Sequence, residues 1–290
     1  MYFGQVLTAM VTPFDEKGAI QYEKTSDLIE YLLANGTDGL VVTGTTGESP
    51  TLSTDEKVDF IKHIVQVVNN RVPVIAGTGS YGTDASISLT KQVEKIGVDG
   101  FLIVTPYYNK PNQHGMFEHF KSIAASTELP IMLYNIPGRS IVNLEVETIV
   151  ALSKIKNIVS LKEAGLDLDH VAEIIENTAD DFSVYSGNDS LTIPMLSVGA
   201  TGVVSVASHI IGNEMKNMIR LFLDGKVNDA AQLHRKMLPV MNGLFTSPSP
   251  SPVKAALQLN GIDVGGVRLP LVDLTKAERE KLHVLLKNID

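Results

Sequence analysis

The sequence predicts an α/β protein: a closed (β/α)₈ barrel followed by a C-terminal helical appendage. Three features of the chain support this. One joint between a helix and a strand recurs in three places. Short apolar runs alternate with amphipathic stretches eight times, at the spacing of a βα unit. After residue 225 the apolar runs stop and only helical patterns follow, so residues 1–225 are predicted to form the barrel.

The repeated joint consists of a helical lead, a glycine, two further residues, a second glycine and an apolar run. It occurs as "ANGTDGLVVTG" (Ala34–Gly44), "KIGVDGFLIVTP" (Lys95–Pro106) and "SVGATGVVSVAS" (Ser197–Ser208). Glycine just past a helix end tolerates left-handed backbone and lets the chain turn directly into a strand. Each joint therefore predicts the end of a helix and the start of a buried strand.

The remaining strands are predicted where short apolar runs lie between turn residues. In chain order these are Gln5–Val11, Pro73–Ala76, Pro130–Asn135, Ile158–Lys162 and Phe182–Gly187. Nearly continuous apolar runs are typical of parallel strands that are covered on both faces. With the three repeated joints they make eight strands, which favours a TIM barrel. An open doubly wound sheet is the main alternative.

The helices between the strands are predicted from apolar residues that recur every three to four positions. They are Tyr22–Asn35, Ser53–Val68, Thr83–Ile96, Met116–Ser126, Leu144–Ser153, Leu168–Asn177 and Leu191–Val198. Beyond the barrel, residues 226–290 form the predicted appendage, with helices at Asn228–Phe245, Val253–Asn260 and Thr275–Asn288. The Pro/Ser run "TSPSPSP" (Thr246–Pro252) separates the first two of these.

Composition narrows the classes of function. The 290 residues are 44% hydrophobic and carry a formal net charge of −9. They contain no Lys/Arg-rich run, so neither nucleic acid nor an anionic membrane surface is an expected partner. The absence of cysteine excludes disulfides, thiolate metal sites and cysteine nucleophiles. The N-terminal stretch predicts a first strand rather than a signal peptide, and we expect a cytoplasmic protein.

The segments that follow the predicted strands are rich in hydroxyl side chains and poor in charged ones. In chain order the strand ends read "TGTTGES", "GTGSYG", "TPYYNKP", "YNIPGRS", "LKEAG", "SGND" and "VVSVAS". In a closed parallel barrel these ends converge on the rim that carries the active site. Random surface loops would hold more charged residues, so a rim rich in hydroxyls indicates a functional site.

Lys162 ends an apolar strand, and Tyr134 ends the preceding one. Lys162 is either a solvated rim charge, paired with Glu163, or a nucleophilic amine that forms a Schiff base with a carbonyl substrate. Tyr134 is either an aromatic that fills the barrel mouth or the group that transfers protons in such chemistry. Position alone leaves both alternatives open.

Two further segments are candidates for binding carboxylates. "GTTGE" (Gly44–Glu48) places two hydroxyls between glycines just before a helix, where free N–H groups suit a small anion. The alternative is an ordinary glycine-rich turn. Arg139, after "YNIPG", is placed to bind a second carboxylate with both arms of its guanidinium, although a single arginine is more often a surface residue.

Two other motifs do not indicate a cofactor. "GTGSYG" (Gly77–Gly82) fits the dinucleotide fingerprint, but the next strand does not end in the acidic residue that would hold a ribose. "HGMFEH" (His114–His119) spaces its histidines five apart, which does not align them on one helix face. We therefore expect neither a nucleotide cofactor nor a catalytic metal.

Taken together, "GTTGE", "TPYYNKP", "YNIPGRS", "LKEAG" and "SGND" in this order resemble the pyruvate-dependent class I aldolase superfamily and, within it, the dihydrodipicolinate synthase family. The resemblance covers nearly the whole chain, and five ordered motifs are far more specific than any one of them. It implies a Schiff base between Lys162 and pyruvate, formed without a cofactor, and a second substrate, aspartate semialdehyde.

The resemblance also implies roles for the other rim residues. Tyr134 would donate and accept protons near the imine. Thr45 and Tyr108 would complete a hydroxyl relay, with Tyr108 supplied by a neighbouring subunit of a homotetramer. The implied substrate-binding residues are Thr46, with Thr45, for the pyruvate carboxylate, the backbone of Val204 beside pyruvate, Arg139 for the semialdehyde carboxylate, and Gly187 near the site.

Three other functions are compatible with parts of the pattern. N-acetylneuraminate lyases and sugar-acid aldolases share the lysine, the tyrosine and the GxxGE motif, but they usually lack the arginine of "GRS" and the paired tyrosines of "PYYN". A phosphate-binding barrel isomerase needs a glycine-rich loop, which "SVASHIIG" (Ser205–Gly212) matches poorly. A non-catalytic scaffold has no need of hydroxyls around a strand-end lysine.

One departure concerns feedback by lysine. Feedback-sensitive members of the family bind lysine through His, Asn and Glu side chains at a subunit interface. The matching positions here hold Thr54, Lys57, Tyr81 and Ala85. Without a carboxylate at Ala85, and with a cation at Lys57, the ammonium of lysine lacks a partner. We therefore expect weak inhibition by lysine or none.

Overall fold

The computed structural model describes residues 3–287. Eight parallel strands pair in chain order, and the last pairs with the first, so the sheet closes into a TIM barrel. The strands are β1 (Val6–Ala9), β2 (Gly39–Val42), β3 (Val74–Gly77), β4 (Gly100–Val104), β5 (Ile131–Asn135), β6 (Ile158–Glu163), β7 (Ser183–Ser186) and β8 (Gly202–Ser205). Closure excludes the open doubly wound sheet, and all eight predicted strands are confirmed within a few residues.

Alternation along each strand separates two apolar layers. In β2, Val41 belongs to a cluster inside the barrel together with Leu7 and Ile75, while Leu40 and Val42 belong to the layer between strands and helices. Both layers are buried from solvent. The near-continuous apolar runs of the sequence follow from this double burial.

The helices surround the barrel and extend beyond it. They are α1 (Tyr22–Ala34), α2 (Thr54–Val68), α3 (Thr83–Glu94), α4 (Gln113–Ala124), α5 (Pro137–Ser140), α6 (Val146–Ser153), α7 (Leu168–Asn177), α8 (Thr192–Ser197), α9 (Ser208–Leu223), α10 (Val227–Gly243), α11 (Ser251–Leu259) and α12 (Lys276–Lys287). The sequence did not predict short α5 or the long helix α9 individually. The other helices agree with the predicted ranges, except that the predicted end of the last one, Asn288, lies outside the described residues.

The first glycine of each repeated joint has the left-handed backbone that the sequence predicts. Gly36, Gly97 and Gly199 have φ angles of 84°, 94° and 105°. These left-handed values disfavour any residue with a Cβ. At Gly36 the space is also closed, because an added Cβ would lie 2.8 Å from the backbone of Gly212.

The helices after the barrel pack against it and against each other. α10 and α11 contact α9, and α12 contacts α10 and α11. Gly225 lies between α9 and α10, where the sequence separates residues 1–225 from residues 226–290. This division into two units stays a prediction. No helix within residues 3–287 is both long and apolar enough to cross a membrane.

Candidate active site

A cavity of about 210 Å³ lies at the carboxyl ends of the strands. Its walls come from residues of β3, β4 and β5 and from the segments that follow β2, β3, β4 and β5. The lining residues are Thr43, Gly44, Thr45, Ser49, Pro50, Gly77, Gly79, Leu102, Val104, Tyr107, Tyr134, Ile136, Arg139 and Ser140. Most of these residues are apolar or carry a neutral hydroxyl, with Arg139 as the cation among them.

Lys162 contacts Tyr134, which lines the cavity, but Lys162 itself is not among the lining residues. Lys162 and Tyr134 are register partners on the adjacent strands β6 and β5, and the Lys162 Nζ lies 4.2 Å from the centre of the Tyr134 ring. Lys162 is only 6% exposed and Tyr134 only 4%. A lysine this deeply buried is not a solvated rim charge, so the structure contradicts that alternative.

Glu163 does not pair with Lys162 either, because strand alternation turns it to the other face of β6. Its carboxylate accepts hydrogen bonds from Asn135 Nδ2 at 2.8 Å and from the Gly165 N–H at 2.6 Å, and it lies 3.7 Å from His170 Nε2. Burial raises the pKa of Glu163 above its ordinary value. The amine of Lys162 is thus left facing the barrel interior.

Asp189 supplies a buried carboxylate just after β7. It accepts from Ser205 Oγ at 2.5 Å, from the Ala207 N–H at 2.9 Å and from the Val206 N–H at 3.2 Å. Burial raises the pKa of Asp189, and the charge of Lys162 is among the influences that oppose this shift. Asp189 was not among the predicted site residues, although an acid in the otherwise neutral "SGND" motif was a signal.

The segment Gly44–Glu48 forms a tight turn at the cavity wall. The Thr45 carbonyl accepts from the Glu48 N–H at 3.1 Å, and the Gly44 carbonyl accepts from the Ser49 N–H at 3.2 Å. Within residues 3–287, the N–H groups of Thr45 and Thr46 have no hydrogen-bond acceptor. Thr45 lines the cavity, and Thr46 is buried next to it in the chain. This turn therefore offers open donors to a small anion.

The residue before the turn is strained. Thr43 has a φ of 52°, which is a genuine outlier for a β-branched side chain. Its Oγ1 donates to the carbonyls of Val42 at 2.7 Å and Gly77 at 3.1 Å, which hold it in this conformation. Strain of this kind persists only where the surroundings impose it, and it concentrates at functional sites.

Arg139 and the paired tyrosines occupy the outer part of the site. Arg139 lies in α5, lines the cavity and is exposed, and its guanidinium forms no ion pair among the described residues. Tyr107 lines the cavity and contacts Tyr81 edge to face at 5.5 Å. Tyr108 is 90% exposed and does not line the cavity of its own chain. Tyr107, the member of the pair that lines this cavity, was not among the residues predicted for the site.

Two further residues predicted for the site, Val204 and Gly187, do not line the cavity. Val204 is fully buried in the barrel interior with Tyr134. The Gly187 N–H donates to the Glu163 carbonyl at 2.6 Å, and a Cβ at Gly187 would lie 2.6 Å from Ala164 Cβ. Gly187 therefore permits the close approach of the segments that follow β6 and β7.

The glycine-rich and histidine motifs have structural roles. Gly77 and Gly79 of "GTGSYG" are cavity wall, where an added Cβ would meet backbone at 2.6 Å and 2.5 Å. His119 of "HGMFEH" is buried and bonded to Thr83 Oγ1 at 2.9 Å, while His114 is exposed. Over residues 3–287, no three His, Asp or Glu side chains come together as metal ligands would.

Comparisons with known proteins agree with this geometry. Residues 2–289 match the model of the dihydrodipicolinate synthetase family. The chain is 62% identical over 289 residues to 4-hydroxy-tetrahydrodipicolinate synthase 2 of Halalkalibacterium halodurans, covering 100% of this chain and 99% of that protein. It is 59% identical over 290 residues to 4-hydroxy-tetrahydrodipicolinate synthase of Bacillus subtilis, covering 100% of both.

Solved structures give the same result. A dihydrodipicolinate synthase of Bacillus anthracis superposes with a TM-score of 0.98 at 57% identity, covering 99% of this chain and 98% of that one. The lysine-bound enzyme of Cyanidioschyzon merolae superposes with a TM-score of 0.97 at 44% identity, with 99% and 98% covered. The chain therefore belongs to the dihydrodipicolinate synthetase family.

Proposed function

We propose that the protein condenses pyruvate with L-aspartate semialdehyde through a Schiff base on Lys162, giving 4-hydroxy-tetrahydrodipicolinate. This is the entry step of diaminopimelate and lysine biosynthesis, and it makes the protein a lyase. The observation that carries the proposal is the buried pair of Lys162 and Tyr134 beside a cavity that holds an open anion-binding turn and an arginine. Family membership over the whole chain supports it.

The first half of the reaction prepares a carbon nucleophile. The amine of Lys162 attacks the ketone of pyruvate and water leaves, which forms the imine. Loss of a proton from the pyruvate methyl group then gives the enamine, because the imine nitrogen accepts the electron pair. Tyr134, in contact with Lys162, is the proposed donor and acceptor of these protons, with Thr45 on the path toward solvent.

The second half joins the two substrates. The enamine carbon attacks the aldehyde carbon, a carbon–carbon bond forms, and the new alkoxide takes a proton. The amino group of the former semialdehyde then attacks the imine carbon, the ring closes and Lys162 is released as the free amine. No oxidant or reductant is needed, because none of these steps changes the total oxidation state. The imine nitrogen accepts the electron pair of the broken C–H bond until the enamine carbon uses that pair to form the carbon–carbon bond.

Each carboxylate has a proposed binding site. The N–H groups of Thr45 and Thr46, together with their hydroxyls, receive the carboxylate of pyruvate, and the backbone of Val204 borders it. Arg139 receives the carboxylate of the semialdehyde, since its guanidinium lies on the cavity wall without an ion-pair partner among residues 3–287. Gly187 keeps the segments after β6 and β7 close together beside the site.

The assembly and the cellular location belong to the same proposal. We infer a homotetramer built from two dimers, in which Tyr108 enters the cavity of a neighbouring copy. An aromatic residue that is 90% exposed next to the catalytic cavity, with a φ of 74°, supports a partner at this position. A biosynthetic enzyme that acts on free metabolites is expected in the cytoplasm.

Borohydride trapping tests the proposal. The protein is incubated with pyruvate and borohydride and then analysed by intact mass and peptide mapping, and we expect one reduced pyruvate adduct, on Lys162. Addition of aspartate semialdehyde in place of borohydride should give product, whereas N-acetylmannosamine and sugar aldehydes should not. Turnover of such a sugar aldehyde would favour another pyruvate aldolase, and the absence of any adduct would contradict the Schiff-base function.

A further inference from the structure

A buried ion pair connects the Gly44–Glu48 turn, the proposed site of the pyruvate carboxylate, to the C-terminal helices. Glu48 ends the turn, and Lys254 lies in α11; their side chains are 0% and 1% exposed. Lys254 Nζ lies 2.6 Å from Glu48 Oε1, and it donates to the Gly266 carbonyl at 2.6 Å. Because removing two charges from water costs about as much as their attraction returns, stability alone does not account for this pair.

Arg268 connects the same C-terminal part to the turn and to the segment after it. Its backbone N–H donates to Glu48 Oε2 at 2.9 Å, and its Nη1 donates to the Thr51 carbonyl at 2.8 Å. The guanidinium also binds both carboxylate oxygens of Glu56 near the start of α2, at 2.5 Å and 3.0 Å. Three successive parts of the β2–α2 segment are thus bonded to one arginine.

The backbone conformation of the turn needs contacts that hold Glu48 in place. Glu48 has left-handed backbone, with a φ of 56° and a ψ of 34°, which a residue with a side chain rarely adopts. Its N–H donates to the Thr45 carbonyl, so the conformation of Glu48 bears on the direction of the Thr45–Thr46 peptide. This peptide carries the Thr46 N–H, which has no acceptor among the described residues, and it adjoins the peptide that carries the Thr45 N–H.

We propose that Lys254 and Arg268 are positioning residues that hold the Thr45–Thr46 turn in the conformation that receives the pyruvate carboxylate. The inference rests on the proposed function and adds to it a role for the C-terminal helices in substrate binding. Neither side chain lines the cavity. The Lys254 side chain acts through Glu48, and the Arg268 side chain acts through Thr51 and Glu56 in the segment after the turn.

Pyruvate titration of Arg268→Gln tests this inference. The measured quantity is the pyruvate concentration that gives half-maximal borohydride adduct on Lys162. We expect it to rise about tenfold, as for the loss of the aligned side-chain hydrogen bonds to the Thr51 carbonyl and to Glu56 in the segment after the turn, with an unchanged yield at saturating pyruvate. A purely structural role predicts the reverse: less adduct at saturation and an unchanged half-saturation point. Arg268→Lys, which keeps the charge and one donor, should fall between wild type and Arg268→Gln.

The matched control is Arg279→Gln, which removes an arginine of the same C-terminal part that bonds to Gln258 at 2.8 Å and not to the turn. It should titrate like wild type. Lys254→Met alone leaves the Glu48 charge buried without its partner and is expected to destabilise the fold. The double variant Glu48→Gln/Lys254→Met removes both charges, and we expect it to fold with a raised half-saturation point.

The outcomes separate the inference from the proposed function. If wild type forms no adduct on Lys162, the proposed function fails and the inference fails with it. If wild type forms the adduct and both Arg268→Gln and the double variant keep the wild-type half-saturation point, the inference alone is overturned. Where Arg268→Gln does not fold, Arg268→Lys takes its place in this comparison.

Discussion

Lys162 and Tyr134 are neighbours across the β5–β6 pair, and the amino group of Lys162 faces the Tyr134 ring with its Nζ 4.2 Å from the ring centre. The contact follows from strand register, since partners in a parallel pair project from the same face of the sheet. An amine and a phenol held on two rigid strands are preorganised for the proposed imine chemistry.

Replacement of Lys162 should abolish the Schiff base. We expect Lys162→Ala to give no borohydride adduct with pyruvate and to lower kcat/KM by roughly 10³-fold or more, because the proposed chemistry needs this amine. Mass spectrometry of the trapped protein and a coupled assay measure this. Lys156→Ala, which removes an exposed lysine before β6, is the control and should keep both properties. A full-yield adduct in Lys162→Ala would contradict the assignment.

Tyr134→Phe should separate binding from proton transfer. The ring stays in contact with Lys162 while the hydroxyl is lost, so we expect kcat to fall about 10²-fold. Pyruvate should still be trapped on Lys162, more slowly than in wild type. Tyr31→Phe removes the hydroxyl of a half-buried tyrosine on α1 and controls for a general effect on folding. Wild-type kcat in Tyr134→Phe would show that the hydroxyl is not needed.

Arg139→Ala should affect the second substrate only. The variant loses the proposed bidentate hydrogen bond between the guanidinium and the carboxylate of the semialdehyde. We therefore expect kcat/KM for aspartate semialdehyde to decrease about 10²-fold. The pyruvate concentration for half-maximal trapping should not change, because the proposed site of the pyruvate carboxylate is the Thr45–Thr46 turn. Arg71→Ala, which breaks an exposed ion pair with Glu30, is a charge-matched control. An equal loss for both substrates would argue against a site for the semialdehyde carboxylate at Arg139.

Lysine should inhibit the enzyme weakly or not at all. Thr54, Lys57, Tyr81 and Ala85 provide no carboxylate for the ammonium of lysine, and Lys57 brings a like charge. Burial lowers the pKa of Lys57, which reduces this repulsion only where the amine loses its proton. A coupled assay with lysine up to millimolar concentrations tests the prediction. Strong inhibition below about one millimolar, on the order of the affinity of a charge-paired small ligand, would contradict it.

The contribution of His209 to the free energy of unfolding should fall as the pH drops below the ordinary pKa of histidine. Its Nδ1 donates to the Val206 carbonyl at 2.9 Å and its Nε2 accepts from the Val11 N–H at 3.2 Å, so the pair of bonds requires the neutral ring. Burial lowers the pKa of His209 from 6.5 to about 4. Between these values the unfolded chain binds a proton that the folded chain does not.

The contribution of His209 to the free energy of unfolding should therefore be constant above pH 6.5 and decrease by about 1.4 kcal/mol for each pH unit below it, until the folded pKa is reached. Urea unfolding between about pH 7 and pH 5 measures the slope. His209→Gln, which cannot titrate, should show a shallower slope by that amount. Equal slopes in the two proteins would mean that His209 does not change protonation on unfolding.

The sequence by itself determined the architecture and named the side chains proposed for the chemistry. The spacing of its apolar residues, its repeated joints and its glycines predicted eight strands in order. The motifs at the strand ends included Lys162, Tyr134, Thr45 and Arg139. These features are local, because an apolar run, a helix end or a positive φ depends on a few adjacent residues. They can therefore be read before any tertiary contact is known.

Only the tertiary structure decided which side chains meet. It placed Lys162 against Tyr134 rather than beside Glu163, brought Asp189 to the segment after β8 and joined Glu48 to Lys254 from a distant part of the chain. Burial of these charges depends on closure of the barrel and on packing of the C-terminal helices against it. Contacts between distant segments carry no periodic signal along one chain, so no local pattern could have shown them.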